Sequence, residues 1–291
     1  MLLELFTIIA PVAICALIGY IWSLRGFTFD VDQITRLVTY IGTPCLVFTT
    51  LTNVEIDPDT FTEMAVATAT TIVLFTIVGA IILKMFGMNQ QNYLPPMVWA
   101  NMGNMGLPLC LFAFGAEGLA LAITYFAVDV AMLFSFGVAF SAGAFSLKRF
   151  LQLPFIYAVI AALVFALGGF EVPRWIANTS ELLGGLTIPL MLIMLGVSLA
   201  GLKVANMKRA TALSALRLIM GFGVGWIVAY AFGFEGAARG VLIMQAAMPV
   251  AVYNYLFAMR YNRAPDEVAG MIVISTAMSF LTLPLLLWYV L

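Results

Sequence analysis

Side-chain amides, glycines and prolines cluster at two places in otherwise apolar sequence. The first is Asn101-Met102-Gly103-Asn104-Met105-Gly106-Leu107-Pro108, and the second is Gln245-Ala246-Ala247-Met248-Pro249, followed by Tyr253-Asn254-Tyr255. Proline lacks an N–H and breaks a helix, while glycine lets another backbone approach closely. A helix broken there presents half-helix N-termini and amide donors, which suit a carboxylate or other small anion. We therefore predict an anion site that contains Asn101, Asn104, Gly106, Pro108, Gln245, Pro249 and Asn254.

The same clusters also have a simpler, purely structural explanation. Prolines kink many membrane helices without any functional role, and amide side chains hydrogen-bond between packed helices. Two breaks in matching halves of a chain, each with amides at the break, favour a binding site over simple kinks.

Two ionisable residues also lie within apolar segments. Asp129 is a candidate for coupling to an ion, because a carboxyl in apolar surroundings can carry a proton; the alternative is a hydrogen bond that pins its helix to a neighbour. Arg217 is a candidate for attracting an anion from the cytoplasmic side, unless its side chain extends to the lipid headgroups.

Composition places these residues in a membrane. Of the 291 residues, 64% are hydrophobic and 9% are charged, and the mean hydropathy is +1.08. A membrane-spanning helix needs roughly 20 mostly apolar residues. We predict ten spans, at 3–24, 33–53, 62–86, 92–115, 117–146, 153–170, 180–201, 209–233, 237–261 and 266–290.

The charges orient the predicted spans. Of the 13 Lys and Arg residues, all but Arg174 and Arg239 fall on one face of the membrane. Basic residues concentrate on the cytoplasmic side. Both termini are therefore predicted to lie outside. The net charge of the whole chain is −1, which gives no reason to expect a nucleic-acid partner.

The spans divide into two halves of five. Pro11 and Pro154, Pro44 and Pro189, and Pro108 and Pro249 occupy corresponding spans at similar separations along the chain. Because each half has an odd number of spans, the second half must be inverted in the membrane relative to the first. We predict an all-α membrane protein with inverted repeats at residues 1–149 (spans 1–5) and 150–291 (spans 6–10).

Ordered motifs extend along most of the chain. They are Asn101 with Gly106-Leu107-Pro108-Leu109, Pro189 with Leu195-Gly196-Val197-Ser198-Leu199, Gln245 to Pro249 with Ala258-Met259-Arg260-Tyr261-Asn262, and then Pro265-Asp266, Ser275-Thr276 and Leu283-Pro284. This set resembles the auxin efflux carrier family, which includes plant auxin carriers and bacterial permeases for malate, malonate and related acids.

The resemblance implies a fold similar to those of sodium/bile-acid symporters and NhaA-type antiporters. Spans 1, 2, 6 and 7 would form a scaffold that dimerises, and spans 3–5 and 8–10 an elevator-like transport domain in which broken helices 4 and 9 cross. Asn101 matches an asparagine that helps to bind the substrate carboxylate in plant carriers, and Arg217 also has a counterpart there. The bacterial permeases imply an inner-membrane location.

Two departures argue against auxin itself. The connection from Ser146 to Leu153 is short where plant carriers have a long cytosolic segment, and Phe155 follows Pro154 where plant carriers place an asparagine. The expected substrate is a small mono- or dicarboxylate such as malonate or malate, with auxin-like acids less favoured. We expect no cofactor, and coupling to H⁺ or Na⁺ stays open.

Other functional classes fit the sequence less well. The absence of histidine removes Ser-His and His-Glu-x-x-His proteases, and an aspartyl dyad needs a second deeply placed acid beside Asp129. Cys15, Cys45 and Cys110 lack metal-ligand spacing, so no metal site and no catalytic residue is predicted. An anion channel or a ligand-sensing membrane receptor on the same fold is the alternative to a carrier.

Overall fold

The part of the chain that the structure describes is almost entirely helical. A computed structural model describes residues 2–54, 57–133 and 152–291. Its first half contains α1 (Leu2–Leu24), α2 (Val31–Leu37), α3 (Thr43–Asn53), α4 (Pro58–Met85), α5 (Gln90–Val98) and α6 (Leu107–Met132). Its second half contains α7 (Pro154–Gly168), α8 (Arg174–Gly185), α9 (Thr187–Gly201), α10 (Met207–Ala231), α11 (Gly236–Ala246), α12 (Tyr253–Tyr261) and α13 (Pro265–Val290). Five-residue π-helices join α2 to α3 at Val38–Gly42 and lead into α6 at Met102–Gly106.

These helices identify an integral membrane protein. Within the described ranges, seven helical segments are long and apolar enough to cross a membrane: Leu3–Leu24, Val31–Asn53, Pro58–Met85, Met102–Met132, Arg174–Gly201, Met207–Ala231 and Pro265–Val290. Pro154–Ala166 is a shorter apolar helix. The predicted span 117–146 is described as far as residue 133, and the predicted boundary between the halves at 149/150 lies outside the described residues.

Local side-chain hydrogen bonds fix where several helices begin. Asp57 accepts a hydrogen bond from the Thr60 N–H at the start of α4, and Asn206 accepts one from the Arg209 N–H at the start of α10. Such caps satisfy N–H groups that the first helical turn leaves free. Within α4, the Thr68 and Thr71 hydroxyls donate to carbonyls one turn earlier, at 2.7 and 2.8 Å, so they need no partner in the apolar surroundings.

One group of helices is held together by small residues. α1 packs along α9, and α3 packs against α7 and α8. A Cβ atom on Gly196 would lie 2.7 Å from the Tyr20 amide nitrogen, and one on Gly19 would lie 2.8 Å from the Ile193 carbonyl carbon. The backbones of α1 and α9 therefore approach as closely as only glycine allows.

A second group surrounds the interrupted helices. α10 contacts α4, α11 and α13, and α6 contacts α4 and α11. A Cβ atom on Gly221 would lie 2.9 Å from the Ala247 Cα, so α10 also approaches its neighbour closely where α11 ends. The short helices α5 and α12 pack against α13, which places both interrupted segments within this group.

The helical backbone is interrupted at both predicted breaks. α5 ends at Val98 and the π-helix starts at Met102, while α11 ends at Ala246 and α12 starts at Tyr253. Inside α6, Gly115 has φ 66° and ψ −154°, a conformation that suits glycine, at the predicted boundary between spans 92–115 and 117–146.

Candidate functional site

The two interruptions meet each other. Ala100 and Val250 form an isolated antiparallel bridge between the breaks. The Asn101 N–H donates to the Pro249 carbonyl at 2.7 Å, and the Ala251 N–H donates to the Trp99 carbonyl at 3.3 Å. Two short extended segments therefore pair inside a helical protein, and each supplies partners for backbone groups that the other break would leave unsatisfied.

This pairing changes how the breaks can contact a ligand. The sequence suggested that main-chain N–H groups at the breaks would be free for an anion, but those of Asn101 and Ala251 are engaged in the pairing, and the Val250 N–H donates to the Ser275 hydroxyl at 3.0 Å. A donor for an anion at the crossing must consequently come from a side chain.

Asn101 is the best placed of these amides. Its side chain is 3% exposed, and its carbonyl accepts hydrogen bonds from the Met105 and Gly106 N–H groups at 3.3 and 3.1 Å, which starts the π-helix. Among the described residues, its Nδ2 has no hydrogen-bond partner. Asn104, one turn later, is only half-buried.

Asn254 joins the two breaks. Its Nδ2 donates to the Trp99 carbonyl at 2.9 Å and to the Ala251 carbonyl at 3.0 Å, so it fastens one interrupted helix to the other. Its Oδ1 is buried and lacks a partner within the described part of the chain. The Nδ2 of Asn254 therefore acts as a hydrogen-bond donor between packed helices, as in the alternative explanation of these amides.

Gln245 packs directly on Gly106. A Cβ atom at position 106 would lie 2.9 Å from the Gln245 Cδ, so glycine is needed for the glutamine to fit. The Gln245 Nε2 donates to the Ala122 carbonyl at 3.5 Å, and its buried Oε1 has no partner in the described ranges. Pro108 and Pro249, which follow Gly106 and Gln245 closely in the sequence, are both buried.

Arg217 and Asp129 form a second buried cluster next to the crossing. The Arg217 Nη1 donates to the Ala246 carbonyl at 3.0 Å, where α11 ends, and its Cζ lies 4.7 Å from the centre of the Phe75 ring. Arg217 is fully buried, which excludes the reading in which it extends to lipid headgroups. Electrostatic interactions link it to Asp129 and to Tyr253.

Several residues at the site were missed by sequence reasoning. Trp99 supplies the carbonyl that receives Asn254, Ser275 receives the Val250 N–H, and Tyr253 faces the charged cluster. Trp99 and Tyr253 lie close in sequence to a break, and Ser275 belongs to the Ser275-Thr276 motif. Phe126, which lies 3.1 Å from a Cβ built on Gly103, gave no such signal.

Comparison with known proteins identifies the family. The family model described as "Membrane transport protein" matches residues 138–288. An uncharacterized transporter of Methanothermobacter thermautotrophicus is 28% identical, with 95% of each chain covered, and one of Methanocaldococcus jannaschii is 24% identical, with 98% of each covered.

A plant protein extends the comparison. Auxin efflux carrier component 1 of Arabidopsis thaliana is 28% identical over 155 residues, which cover 50% of this chain and 24% of the plant protein. Transport is the role named for all three relatives, and seven helical segments of the described chain are long and apolar enough to cross a membrane. The chain belongs to the membrane transport protein family that includes the auxin efflux carriers, and it is a transmembrane transporter and not an enzyme.

Proposed function

We propose that this chain is a secondary carrier for a small organic anion, a mono- or dicarboxylate such as malonate or malate. The observation that carries the proposal is the pairing of two interrupted helices at Ala100 and Val250, beside a buried Asn101 amide that has no partner among the described residues. Interrupted helices that meet inside the bilayer are typical of transporter binding sites.

The chemistry at the crossing favours a negatively charged ligand. The Asn101 Nδ2 is a donor without an acceptor, and a carboxylate oxygen is an acceptor of suitable strength. Gln245, Asn254, Asn104, Gly106, Pro108 and Pro249 complete the proposed substrate-binding set. Because amides carry no net charge, an empty site lined by amides has a lower desolvation free energy than an empty site that contains a lysine.

Alternating access is the proposed mechanism. The spans containing α1, α2–α3, α7 and α8–α9 would form the scaffold, and the interrupted helices with α4, α10 and α13 would form the moving domain. The packing of α1 on α9 and of α10 on α13 supports this division into two groups. An elevator-like displacement of one group against the other would carry the crossing from one side of the membrane to the other.

The remaining assignments follow from the same proposal. The chain would reside in the bacterial inner membrane, with ten spans in two inverted repeats, both termini outside and a homodimer formed through the scaffold. Asp129 is the proposed residue for ion coupling, and Arg217 supplies positive charge next to the anion site. No cofactor is part of the mechanism.

Replacing Asn101 with alanine tests the proposal. A hydrogen bond between an amide and a carboxylate contributes about 1.5–3 kcal/mol, so Asn101→Ala should weaken carboxylate binding by roughly 10- to 100-fold. Binding would be measured by thermal shift across malonate, malate, monocarboxylates and indole acids. Asn178→Ala, which changes an exposed asparagine of α8, is the matched control and should bind as the wild type does.

Counterflow in proteoliposomes separates the carrier from its alternatives. A carrier preloaded with unlabelled substrate should accumulate labelled substrate transiently, whereas an anion channel or a ligand-sensing receptor would not. Unchanged carboxylate affinity in Asn101→Ala would remove Asn101 from the site, and absence of counterflow would refute the carrier.

A further inference from the structure

Arg217 occupies a position that in a transporter would suit a metal cation. We propose that its guanidinium is a resident cation at the C-terminal end of α11, and that the protein therefore binds and carries its anion without Na⁺. The structural part of this inference stands alone, whereas its consequence for ion coupling rests on the proposed carrier function.

The end of α11 is a site of negative potential. Carbonyl groups in the last turn of a helix lack intrahelical partners, and the helix dipole places partial negative charge there. In interrupted helices of transporters, such ends coordinate Na⁺ or H⁺. Here the Ala246 carbonyl at this end receives a hydrogen bond of 3.0 Å from the Arg217 Nη1 instead.

The surroundings accommodate a guanidinium in particular. The Arg217 Cζ lies 4.7 Å from the centre of the Phe75 ring, a distance typical of a cation–π contact. A Cβ atom on Gly221 would lie 2.7 Å from the Arg217 Nη1, so this glycine on the same helix leaves the room that the guanidinium fills. A planar cation, in contact with an aromatic ring and with the end of a helix, is thus enclosed within the protein.

Asp129 lies in the same buried cluster as Arg217. Its side chain is 2% exposed, it interacts electrostatically with Arg217, and its Oδ1 has no hydrogen-bond partner in the part of the chain that the structure describes. The Arg217 Nε and Nη2 are likewise buried and unpartnered there. A carbonyl, a carboxylate and the nearby Tyr253 phenol are oxygen ligands of the kind that hard cations prefer.

A resident cation has a different consequence from an exchangeable one. Arginine remains protonated in proteins and is covalently attached, so it cannot be taken up on one side and released on the other. The negative end of α11 is neutralised in every state of the transport cycle, and no Na⁺ has to bind before the anion.

Removing the guanidinium tests the structural part. Purified full-length protein in detergent would be unfolded thermally in choline, sodium or guanidinium chloride at equal ionic strength. The wild type should unfold at the same temperature in choline and sodium. Arg217→Ala should unfold at a lower temperature, and guanidinium at tens of millimolar should raise that temperature by about 3 °C or more over choline, whereas urea should not.

Arg209→Ala is the matched control, because Arg209 lies on the same helix but at the surface, paired with Glu267 at 2.8 Å. It should show no response to guanidinium. The electrostatic interaction with Asp129 has its own test: Arg217→Gln combined with Asp129→Asn should be more stable than the two single effects add up to. If Arg217→Ala cannot be purified, the comparison of the double variant with the two single variants tests the inference instead.

Two results would overturn the inference. The first is a response of the wild type that is specific to Na⁺, either a higher unfolding temperature or a higher uptake of carboxylates. The second is a failure of the variants to behave as expected: Arg217→Ala does not respond to guanidinium, or the effects of Arg217→Gln and Asp129→Asn on stability simply add. Because the unfolding experiments contain no carboxylate, their outcome is independent of whether the proposed substrate is right.

Discussion

Unpaired polar atoms are concentrated at the crossing of the interrupted helices. Within the described residues, the Asn101 Nδ2, the Gln245 Oε1 and the Asn254 Oδ1 are all buried without hydrogen-bond partners. Leaving one such atom unpaired costs about 1–3 kcal/mol. Three of them at one place are best explained by groups that complete their hydrogen bonds: a carboxylate oxygen for the Asn101 donor, and a water or hydroxyl donor for the Gln245 and Asn254 amide oxygens. That is the residue-scale argument for a binding site.

Gly106 gives a residue-scale prediction, because its neighbour Gln245 belongs to the proposed site. In Gly106→Ala the new methyl group would overlap Gln245, with its Cβ 2.9 Å from the Cδ, and the fully buried glutamine would have to move within a packed interior. We expect overpacking to cost about 1–3 kcal/mol and carboxylate binding to fall at least tenfold. Thermal unfolding and ligand-induced thermal shifts would measure the two effects.

Gly223→Ala is the control for that substitution. Nothing lies within 4 Å of a Cβ at position 223, which is also within a helix, so alanine should leave stability unchanged or raise it by up to about 1 kcal/mol. Wild-type binding by Gly106→Ala would show that Gln245 can leave its position freely, and it would contradict the role given to this contact.

At the scale of elements, the positions of the interruptions could be predicted because they depend on local chemistry. Pro108 and Pro249 cannot donate a backbone hydrogen bond, and the glycines and amides around them mark sequence that is not uniformly helical. The boundary predicted from apolar span lengths at 115/117 coincides with Gly115, which adopts φ 66° inside α6. Composition alone was sufficient for the membrane class.

The partners of those elements could not be predicted in this way. Pairing between Ala100 and Val250 joins residues far apart in sequence, and both are ordinary apolar residues that carry no sign of extended structure. Likewise, the burial of Arg217 over the Phe75 ring depends on packing between α10 and α4, so sequence left open whether the side chain reached the headgroups. Only three-dimensional contacts distinguish these cases.

The contact between α1 and α9 yields an element-scale prediction. In Gly196→Ala the new Cβ would lie 2.7 Å from the Tyr20 amide nitrogen, and a backbone atom cannot rotate away. The two helices must separate, so the unfolding temperature should drop by several degrees, corresponding to about 1–3 kcal/mol. Carboxylate affinity of the folded protein should remain that of the wild type, because the crossing lies in the other group of helices.

Gly185→Ala serves as its control, since this exposed glycine at the end of α8 has nothing within 4 Å of a built Cβ. A Gly196→Ala protein as stable as Gly185→Ala would mean that α1 and α9 adjust without cost. Loss of carboxylate affinity in Gly196→Ala would instead contradict the separation between the two groups of helices.

At the scale of the whole molecule, one aromatic contact connects the proposed scaffold with the proposed moving domain. The ring centres of Phe126 on α6 and Phe155 on α7 are 5.7 Å apart. A second pair, Phe48 on α3 and Phe165 on α7, has almost the same separation, 5.8 Å, but lies within the scaffold group. The two pairs therefore offer a matched comparison of contacts between and within the groups.

Cross-linking these pairs tests alternating access. If the two groups of helices slide past each other, a short bifunctional thiol reagent that links Phe126→Cys to Phe155→Cys should abolish counterflow, because the contact must break during the cycle. The same reagent applied to Phe48→Cys with Phe165→Cys should leave counterflow intact. The background for both variants lacks the native cysteines, which are Cys15, Cys45 and Cys110. Full counterflow with the first pair quantitatively linked would require the substrate to pass without relative motion of α6 and α7, and it would rule out the elevator.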